Sequence, residues 1–444
     1  MTFENIGLKY KYMGTFIKRN LLDGLISHLE QKEISLIVGP RQCGKTTIML
    51  TLKNYLEQKG KKTLFLSMDF EPDKEFFISQ SKLIQKITLE IGKKEGYVFL
   101  DEIQRKENAG LFLKGIYDMN LPYKFIISGS GSVELKEKVH ESLVGRKRVF
   151  YMTTLNFEEF VNYKTEYKYQ NNITDFFTIE KVRTQQLLEE YLNFGGYPKV
   201  VLAESIEEKR KIINEIYQSY LEKDISYLLG IRNTDGFSNL IKIIASQIGK
   251  LTNFSELSST LGISVPTLKN YLWYLEKTFI IQRITPYFKN IRKEITKSPV
   301  FYFYDYGLRN YILDILGENI QSFDLSFLFQ NFVFHLLNAS PMDSNVKIHF
   351  WRTKEKAEVD FIFESGNNLI PIEVKYKNPK DTIIERSLRS FIIKYKPVTA
   401  IVVNINFESE KKIDTTRVLF IPFWKLTKKN IKAWNTDERQ LLMR

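Results

Sequence analysis

The chain has few of the residues that build disulfide or metal frameworks. Among 444 residues it has one cysteine, Cys43, and four histidines scattered along the sequence. A single cysteine excludes an internal disulfide, and the histidines do not show the Cys/His spacing of structural zinc sites. We therefore expect no cofactor other than a metal ion bound together with phosphate.

Long hydrophobic runs are also missing. Apolar stretches such as 35–38 and 400–403 are long enough only for buried strands, whereas a membrane-spanning helix needs roughly 18 apolar residues or more. The N-terminal segment MTFENIGLKYKYMG has neither an uninterrupted apolar core nor a small-residue cleavage pattern, which argues against a secretory signal. We expect a cytoplasmic protein without a membrane span.

Acidic residues are outnumbered, since 65 Lys and Arg stand against 52 Asp and Glu and give a formal net charge of +13. Such a field attracts polyanions, including nucleic acid. A lysine-rich composition also arises from genome bias or from selection for solubility, so charge alone leaves contact with DNA open. Because 43% of the residues are apolar, the chain can bury more than one core, which predicts several domains.

From residue 34 to 152 short β-rich runs alternate with longer amphipathic runs. This alternation predicts a parallel α/β sheet with crossover helices. The expected strands are 34–38, 63–67, 97–100, 124–128 and 148–152. A helix-rich stretch follows and is interrupted where Gly195, Gly196 and Pro198 meet. We expect this stretch to form a lid beside the sheet.

The segment SELSSTLGISVPTLKNYLWYLEKTFII has a helix-turn-helix pattern. It shows a helix, a turn at Gly262, an N-cap at Ser264, a second helix opened by Pro266, and then a strand that would form a wing. The side chains that could meet DNA phosphates lie on or just after the second helix and are Lys269, Asn270, Lys277 and Arg283. Winged helices also serve as spacers between domains, and the pattern leaves both roles open.

The segment ISLIVGPRQCGKTTIML carries a phosphate-binding pattern. It has G-x-x-x-x-G-K-[ST] spacing directly after an apolar strand and before an amphipathic helix. Backbone N–H groups of such a loop face a phosphate, the Lys45 ammonium reaches the outer phosphates, and the Thr46 hydroxyl binds Mg²⁺. The residues expected to bind ATP are Gly39, Pro40, Arg41, Gln42, Cys43, Gly44, Lys45, Thr46 and Thr47. Arg41 either contacts phosphate or locks the loop.

An apolar strand that ends in acids, YVFLDEIQR, supplies two further candidates. Asp101 would hold the magnesium through water, and Glu102 would orient or deprotonate the attacking water. A pair of acids after a strand is also common as a solvated turn. Together with the phosphate loop, however, the pair predicts the catalytic edge of an ATPase.

Two residues further along are candidates for sensing or stabilising the transferred phosphate. Ser130 ends the strand KFIISGSGS and suits contact with the terminal phosphate, although a plain Ser/Gly turn is the alternative. Arg146, just before the fifth expected strand, could act on the site of a neighbouring subunit or simply lie on a solvated face.

Several motifs together resemble a large family of prokaryotic AAA+ ATPases. They are GPRQCGKTT, YVFLDEIQR, ISGSGS, the Gly145 and Arg146 pair, LNFEEF, GGYP, EVDF and IEVK. These ATPases carry an AAA domain followed by a C-terminal domain of poorly defined function. The resemblance implies a five-stranded sheet in which the Ser130 strand lies between those bearing Lys45 and Asp101. It also implies assembly into a homo-oligomeric ring, often a hexamer.

The tail contains two expected strands joined by a polar turn, AEVDFIFESGNNLIPIEVKYKN. Asp360 and Glu373 could bind Mg²⁺ together, while Lys375 could position the attacking water or neutralise charge. This ordered set resembles the PD-(D/E)xK nuclease core. Gln330, on the preceding helix, departs from the pattern because related sequences usually have a glutamate there, and a neutral amide makes the metal site less anionic.

We therefore predict an α/β protein with an AAA+ P-loop core over 1–155, a helical lid or linker over 156–232, a winged helix-turn-helix over 233–312 and a PD-(D/E)xK nuclease-like domain over 313–444. Its predicted function is ATP hydrolysis with Mg²⁺ that moves the C-terminal domains, on DNA. The alternative is an ATP-regulated oligomeric scaffold or protein-remodelling assembly whose nuclease-like domain is inactive. DNA-stimulated ATP hydrolysis would separate the two.

Overall fold

The structure is a computed structural model that describes residues 17–130, 143–220, 234–288, 294, 297–318, 322–338, 346–366, 368–377 and 381–434. The chain divides into two compact units. Unit 1 comprises Met1–Glu166, Gly196–Arg232 and Leu272–Ile280, and unit 2 comprises Tyr167–Gly195, Asn233–Tyr271 and Ile281–Arg444. The stretch 156–232, predicted as one lid or linker, is therefore shared between the units, and the four-domain division stays a prediction.

Unit 1 is built on a five-stranded parallel sheet. Its strands are β1 (Ile34–Gly39), β2 (Thr63–Ser67), β3 (Gly96–Asp101), β4 (Tyr123–Ser130) and β5 (Lys147–Tyr151), in the spatial order β2-β3-β4-β1-β5. All neighbouring strands run parallel. The predicted parallel α/β sheet is confirmed, and β4 lies between β1 and β3 as the resemblance implied.

Helices alternate with the strands in the first part of the chain and dominate the middle. In chain order they are α1 (Leu21–Ser27), α2 (Lys45–Gln58), α3 (Gln80–Ile91), α4 (Ala109–Asp118), α5 (Phe157–Lys164), α6 (Ile173–Ile179), α7 (Lys181–Phe194), α8 (Pro198–Leu202), α9 (Ile206–Ser219), α10 (Thr234–Ser246), α11 (Phe254–Leu261), α12 (Val265–Lys277), α13 (Tyr306–Ile312), α14 (Ser322–Asn338), α15 (Arg386–Tyr395) and α16 (Lys428–Trp434). Among the described helices, none combines the length and the hydrophobicity that a membrane span requires.

The core of unit 1 lies between the sheet and the helices that cover it. Strands β1 and β3 are buried along their whole length, as expected for central strands of a parallel sheet with both faces covered. One face packs against α1 and α2, where Leu25, Ile48 and Leu52 belong to the same buried cluster as Phe99 and Ile126. This packing fixes the start of α2 at the carboxyl edge of the sheet.

Unit 2 contains a six-stranded mixed sheet and a separate two-stranded sheet. The small sheet pairs β6 (Ile281–Ile284) with β7 (Val300–Phe303) in antiparallel register. The large sheet contains β8 (Val346–Arg352), β9 (Glu358–Ser365), β10 (Asn368–Val374), β11 (Thr399–Asn404), β12 (Ser409–Ile413) and β13 (Thr416–Pro422) in the order β12-β13-β11-β10-β9-β8. Helix α15 packs on it, with Leu388 and Phe391 in one buried cluster with Val359 and Val402.

The segment with the helix-turn-helix pattern forms α11, a turn, α12 and then β6. Gly262 takes the left-handed backbone conformation that ends α11, with φ +62°. The Ser264 hydroxyl accepts a hydrogen bond from the Thr267 N–H at 3.2 Å and so begins α12 as an N-cap. Lys269 lies over the Phe254 ring and Lys277 over the Trp273 ring. A winged-helix role stays a proposal.

Candidate functional sites

The phosphate loop joins β1 to α2 and depends on glycine at both ends. A Cβ atom at Gly39 would lie 1.9 Å from the Met152 carbonyl oxygen, so only glycine fits where the two strands approach. Gly44 precedes α2 with φ +100°, a conformation that side chains rarely adopt. The G-x-x-x-x-G spacing is therefore set by a close backbone approach at one end and by a left-handed residue at the other.

Lys45 is buried within the loop. Its ammonium donates hydrogen bonds to the carbonyl oxygens of Gly39, at 3.1 Å, and Pro40, at 2.7 Å. The side chain is 5% exposed. The charge is thus held at the helix N-terminus, where unpaired N–H groups and the helix dipole already favour an anion.

Asp101 ends β3 and meets the first turn of α2. The Thr46 hydroxyl donates a hydrogen bond of 2.8 Å to Oδ2 of Asp101. Ser128 on β4 donates to Oδ1 of the same carboxylate. Because parallel strands end at the same edge of a sheet, residues 55 apart in the chain converge here.

Glu102 lies one residue beyond the strand end, as predicted, and has a left-handed backbone with φ +54°. Its N–H donates to the Ser128 hydroxyl at 3.1 Å, and its carboxylate accepts a hydrogen bond from the Gln104 amide. The sequence reasoning missed both Ser128 and Gln104. The alternation ISGSGS is the signal for Ser128, since residue 128 follows Ile127, the β4 partner of Leu100, and so aligns with Asp101.

The remaining nucleotide-site candidates have different surroundings. Cys43 is fully buried, with its thiol 3.5 Å from the Met152 carbonyl oxygen. Gln42 takes φ +57° within the loop. Arg41 is partly buried. Thr47 lies in the first turn of α2, and its carbonyl oxygen accepts a hydrogen bond from the Thr51 hydroxyl. Their predicted contacts with nucleotide stay predictions.

The two residues predicted to act on the transferred phosphate lie further out. The backbone of Ser130 pairs with Gly39 at the carboxyl edge of the sheet, but its side chain lies outside the described part of the chain. Arg146 forms a bidentate ion pair with Asp118, with Nε to Oδ1 at 2.7 Å and Nη2 to Oδ2 at 3.4 Å. An action on another subunit would require this arginine to leave Asp118.

The Thr46 and Asp101 oxygens fit a magnesium ion. A hydroxyl and a carboxylate that touch at 2.8 Å are oxygen donors, which are the ligands this hard cation prefers, and Mg²⁺ usually keeps several waters and shares phosphate oxygens. The acid is 3% exposed and lies beside the loop that carries Lys45. Thr46 would hold the ion directly, and Asp101 would hold it through water.

The predicted tail residues also converge, in unit 2. Asp360 on β9 accepts a hydrogen bond from the Gln330 amide on α14 at 2.6 Å, and another from the Val374 N–H at 2.7 Å. Lys375, just after β10, donates to Glu373 at 2.9 Å and pairs with Glu385 at 2.5 Å. Glu385 was not predicted and immediately precedes α15.

Burial dominates the electrostatics of this cluster. Desolvation raises the pKa of Asp360 to about 6, against the lowering effects of the Val374 N–H and Lys375. Burial and the neighbouring Asp360 raise the pKa of Glu373 well above its ordinary value. Burial alone would lower the pKa of Lys375, but Glu373 and Glu385 outweigh it and raise that pKa. Burial therefore disfavours the charged form of both acids, while the two glutamates favour the charged form of the lysine.

One buried oxygen in this cluster lacks a hydrogen-bond partner. Glu373 is 6% exposed, and its Oε2 atom accepts no hydrogen bond. Such an atom fits a cation ligand, because an unsatisfied buried carboxylate oxygen is otherwise costly. Within the described ranges, however, no group of three or more His, Cys, Asp or Glu side chains is placed to hold a metal ion. Asp360 and Glu373 would therefore offer a metal ion two carboxylates, one fewer side chain than such a group has.

The parallel sheet, the glycine-dependent loop and the Thr46–Asp101 contact together form a candidate phosphate-binding site at the carboxyl edge of an α/β sheet. Residues 31–161 match a family model described as an AAA domain. Residues 185–319 match a domain of unknown function, DUF8612, and residues 325–426 match another, DUF4143. The first match covers the whole sheet of unit 1, including the phosphate loop and Asp101.

Similar proteins occur in bacteria and archaea. An uncharacterized protein of Haemophilus influenzae is 24% identical over 418 residues, which are 92% of this chain and 98% of that protein. An uncharacterized protein of Methanocaldococcus jannaschii is 28% identical over 416 residues, which are 88% of each chain. Among solved structures, the Aeropyrum pernix ORC1 protein in complex with DNA is 10% identical, with 66% of this chain and 91% of that chain covered and a TM-score of 0.31. A score this low supports no functional argument.

Proposed function

We propose that this protein binds ATP with Mg²⁺ and hydrolyses it. The observation that carries the proposal is the 2.8 Å hydrogen bond between the Thr46 hydroxyl and Asp101. It joins the loop that would hold the phosphates to the acid that would hold the metal, across 55 residues of sequence. The AAA domain match over 31–161 supports the same reading.

Each residue of the site has a task in this mechanism. Lys45 leaves the carbonyl oxygens of Gly39 and Pro40 and places its charge on the outer phosphates. Mg²⁺, when bound, neutralises charge on the phosphate oxygens. Glu102 orients the attacking water and accepts its proton. Its Oε2 atom accepts the Gln104 amide, and a carboxylate has room to accept a water as well.

Two variants test the proposal against wild-type protein in a phosphate-release assay with Mg²⁺. Lys45→Ala is expected to lose nucleotide binding, because it removes the charge matched to the outer phosphates. Glu102→Gln is expected to keep ATP and to stall hydrolysis, because the water is left unactivated. A Glu102→Gln protein that turns over ATP at the wild-type rate would contradict the assignment of the base.

We propose further that hydrolysis moves the C-terminal segments on DNA, within a homo-oligomeric ring in the cytoplasm. The net charge of +13 and the capped turn between α11 and α12 support a DNA partner. The alternative is an ATP-regulated oligomeric scaffold that binds no DNA. Purified protein assayed with and without duplex DNA separates them, since faster hydrolysis with DNA and affinity that falls steeply with salt are expected only of the first.

A nuclease-like activity is a second candidate function. Asp360, Glu373 and Lys375 lie in one hydrogen-bonded cluster, and the buried Glu373 Oε2 atom is open to a cation. In this proposal Asp360 and Glu373 hold a divalent metal, and Lys375 neutralises charge at the scissile phosphate. Incubation of plasmid DNA with Mg²⁺ or Mn²⁺ should give nicks that Asp360→Ala abolishes. Intact plasmid under both metals would leave the cluster with an assembly or binding role.

A further inference from the structure

Arg19, which no sequence motif singled out, connects the phosphate loop to the chain after β5. Its Nη1 atom donates a hydrogen bond to the Cys43 carbonyl oxygen at 2.9 Å. Its Nη2 atom donates to the Thr153 carbonyl oxygen at 2.7 Å and to that of Thr154 at 3.3 Å. The residue is 7% exposed. A buried guanidinium thus spans two backbone segments, one of which is the loop itself.

Glu159 holds this arginine in place. Its Oε2 atom lies 3.1 Å from Nε of Arg19 and also accepts the Asn156 N–H at 3.0 Å. Its Oε1 atom accepts the Asn20 N–H at 2.7 Å. Because Glu159 also belongs to the capping box of α5, its side chain is fixed from both sides. The pair is electrically neutral, so Arg19 adds little net charge to the loop and must act through geometry.

The contact with Cys43 fixes the direction of one loop peptide. In a trans peptide the C=O and N–H bonds point in opposite directions, and the described residues contain no cis peptide. A guanidinium bound to the Cys43 carbonyl oxygen therefore directs the Gly44 N–H to the opposite side. Gly44 stands at the N-cap of α2 with φ +100°, and a glycine alone restricts the orientation of this peptide less than other residues do.

We propose that Arg19 is a positioning residue for the nucleotide phosphates: it orients the Cys43–Gly44 peptide so that the Gly44 N–H donates to a bound phosphate. The inference rests on the proposed binding of ATP and names a residue outside the phosphate-loop motif. This role requires the three separate nitrogen atoms of a guanidinium, because the side chain donates to Cys43 and Thr153 at once while it is paired with Glu159. A lysine keeps the charge but cannot span all three.

Isothermal titration of the full chain with ATP and with ADP tests the inference, using Arg19→Lys. We expect Kd for both nucleotides to rise about tenfold, the effect of one charge-assisted hydrogen bond of ~1.4 kcal/mol, with the stoichiometry unchanged. Lys209→Ala is the matched control. Lys209 is similarly buried, at 5% exposed against 7% for Arg19, and donates to the carbonyl oxygens of Val200 and Ala203. Its loss should lower the melting temperature and leave Kd unchanged.

A purely structural role for Arg19 would appear as a lower stoichiometry, because part of the protein is unfolded, with the wild-type Kd for the remainder. That result would overturn the inference. If Arg19→Lys does not fold, Glu159→Gln is measured instead, since it keeps the guanidinium but removes its charged anchor. It should raise Kd in the same direction, and an unchanged Kd would equally overturn the inference. Wild-type protein that binds neither nucleotide would instead refute the proposed function.

Discussion

The Gln330 amide donates a 2.6 Å hydrogen bond to Oδ1 of Asp360, on a carboxylate whose other oxygen accepts the Val374 N–H. The amide therefore satisfies the acid in the absence of any ion. A glutamate at this position would have no N–H to donate and would face Asp360 as a second carboxylate, and the repulsion would raise the pKa of one of the two acids. Gln330, which departs from the nuclease-like pattern, thus donates to a carboxylate oxygen that a metal ion would otherwise bind.

We predict that Gln330→Glu lowers the melting temperature in metal-free buffer, because two carboxylates would then face each other in a buried site. Mn²⁺ should restore it, and should stabilise Gln330→Glu more than wild type. Gln330→Met is the control, since it removes the amide without adding charge and should show no greater response to Mn²⁺ than wild type. Thermal unfolding with and without Mn²⁺ measures this, and equal shifts in all three proteins would count against a metal site here.

The raised pKa of Asp360, about 6 against an ordinary 3.8, predicts a pH dependence of stability. An acid whose pKa is higher in the folded state is stabilising while protonated, and this contribution is lost as pH rises from about 4 through 6. The free energy of unfolding should fall over this range by up to about 1.4 kcal/mol per pH unit. Asp360→Asn should remove this fall in the free energy of unfolding, which denaturant titrations at several pH values measure. A variant whose free energy of unfolding falls with pH as steeply as that of wild type would contradict the prediction.

Ser128 is predicted to matter for hydrolysis as well as for stability. Its hydroxyl donates to the Asp101 carboxylate and accepts the Glu102 backbone N–H, so Ser128→Ala loosens the side chain of one acid and the backbone of the other. We expect kcat to fall about tenfold or more, with a higher Mg²⁺ requirement. Ser35→Ala is the control, because Ser35 is also fully buried, on β1, and bonds to His28. Equal losses of kcat in the two variants would mean that the effect is only structural.

Arg146 and Asp118 form an exposed pair whose stability contribution is small, about 0–1 kcal/mol. If Arg146 stabilises transition-state charge in a neighbouring subunit, Arg146→Ala should lower hydrolysis more than ATP affinity. Asp118→Asn breaks the same ion pair and leaves the arginine available, so it should keep hydrolysis. Rates from steady-state assays of the two variants decide the matter, and matching losses would assign Arg146 to the ion pair alone.

The convergence of the phosphate loop with Asp101 could be predicted from sequence because its main signals are local. Gly39, Gly44 and Lys45 are set by the geometry of one strand-to-helix turn, and Asp101 follows an apolar strand. The tail cluster was similarly readable, since alternate residues of a strand share a face. The role of Asp360 as acceptor from Gln330 needed the fold, which brings α14 to β9.

The supporting contacts could not be read in this way because they join distant positions. Arg19 and Glu159 are 140 residues apart, and nothing near either residue marks its partner. Glu385 pairs with Lys375, and no sequence pattern near Lys375 marks Glu385 as its partner. Composition and periodicity report which residues are buried, but the identity of a partner depends on the tertiary path of the chain.

The division of the chain has a consequence for its synthesis. Unit 1 takes its last segment from Leu272–Ile280, after the chain has twice left it for segments of unit 2. On the ribosome, the sheet and the phosphate loop are therefore made long before their unit is complete. A nascent chain that stops at residue 232 would carry every nucleotide-site residue proposed above and still lack part of the unit that houses them. Translation must pass residue 280 before every segment of this unit has been made.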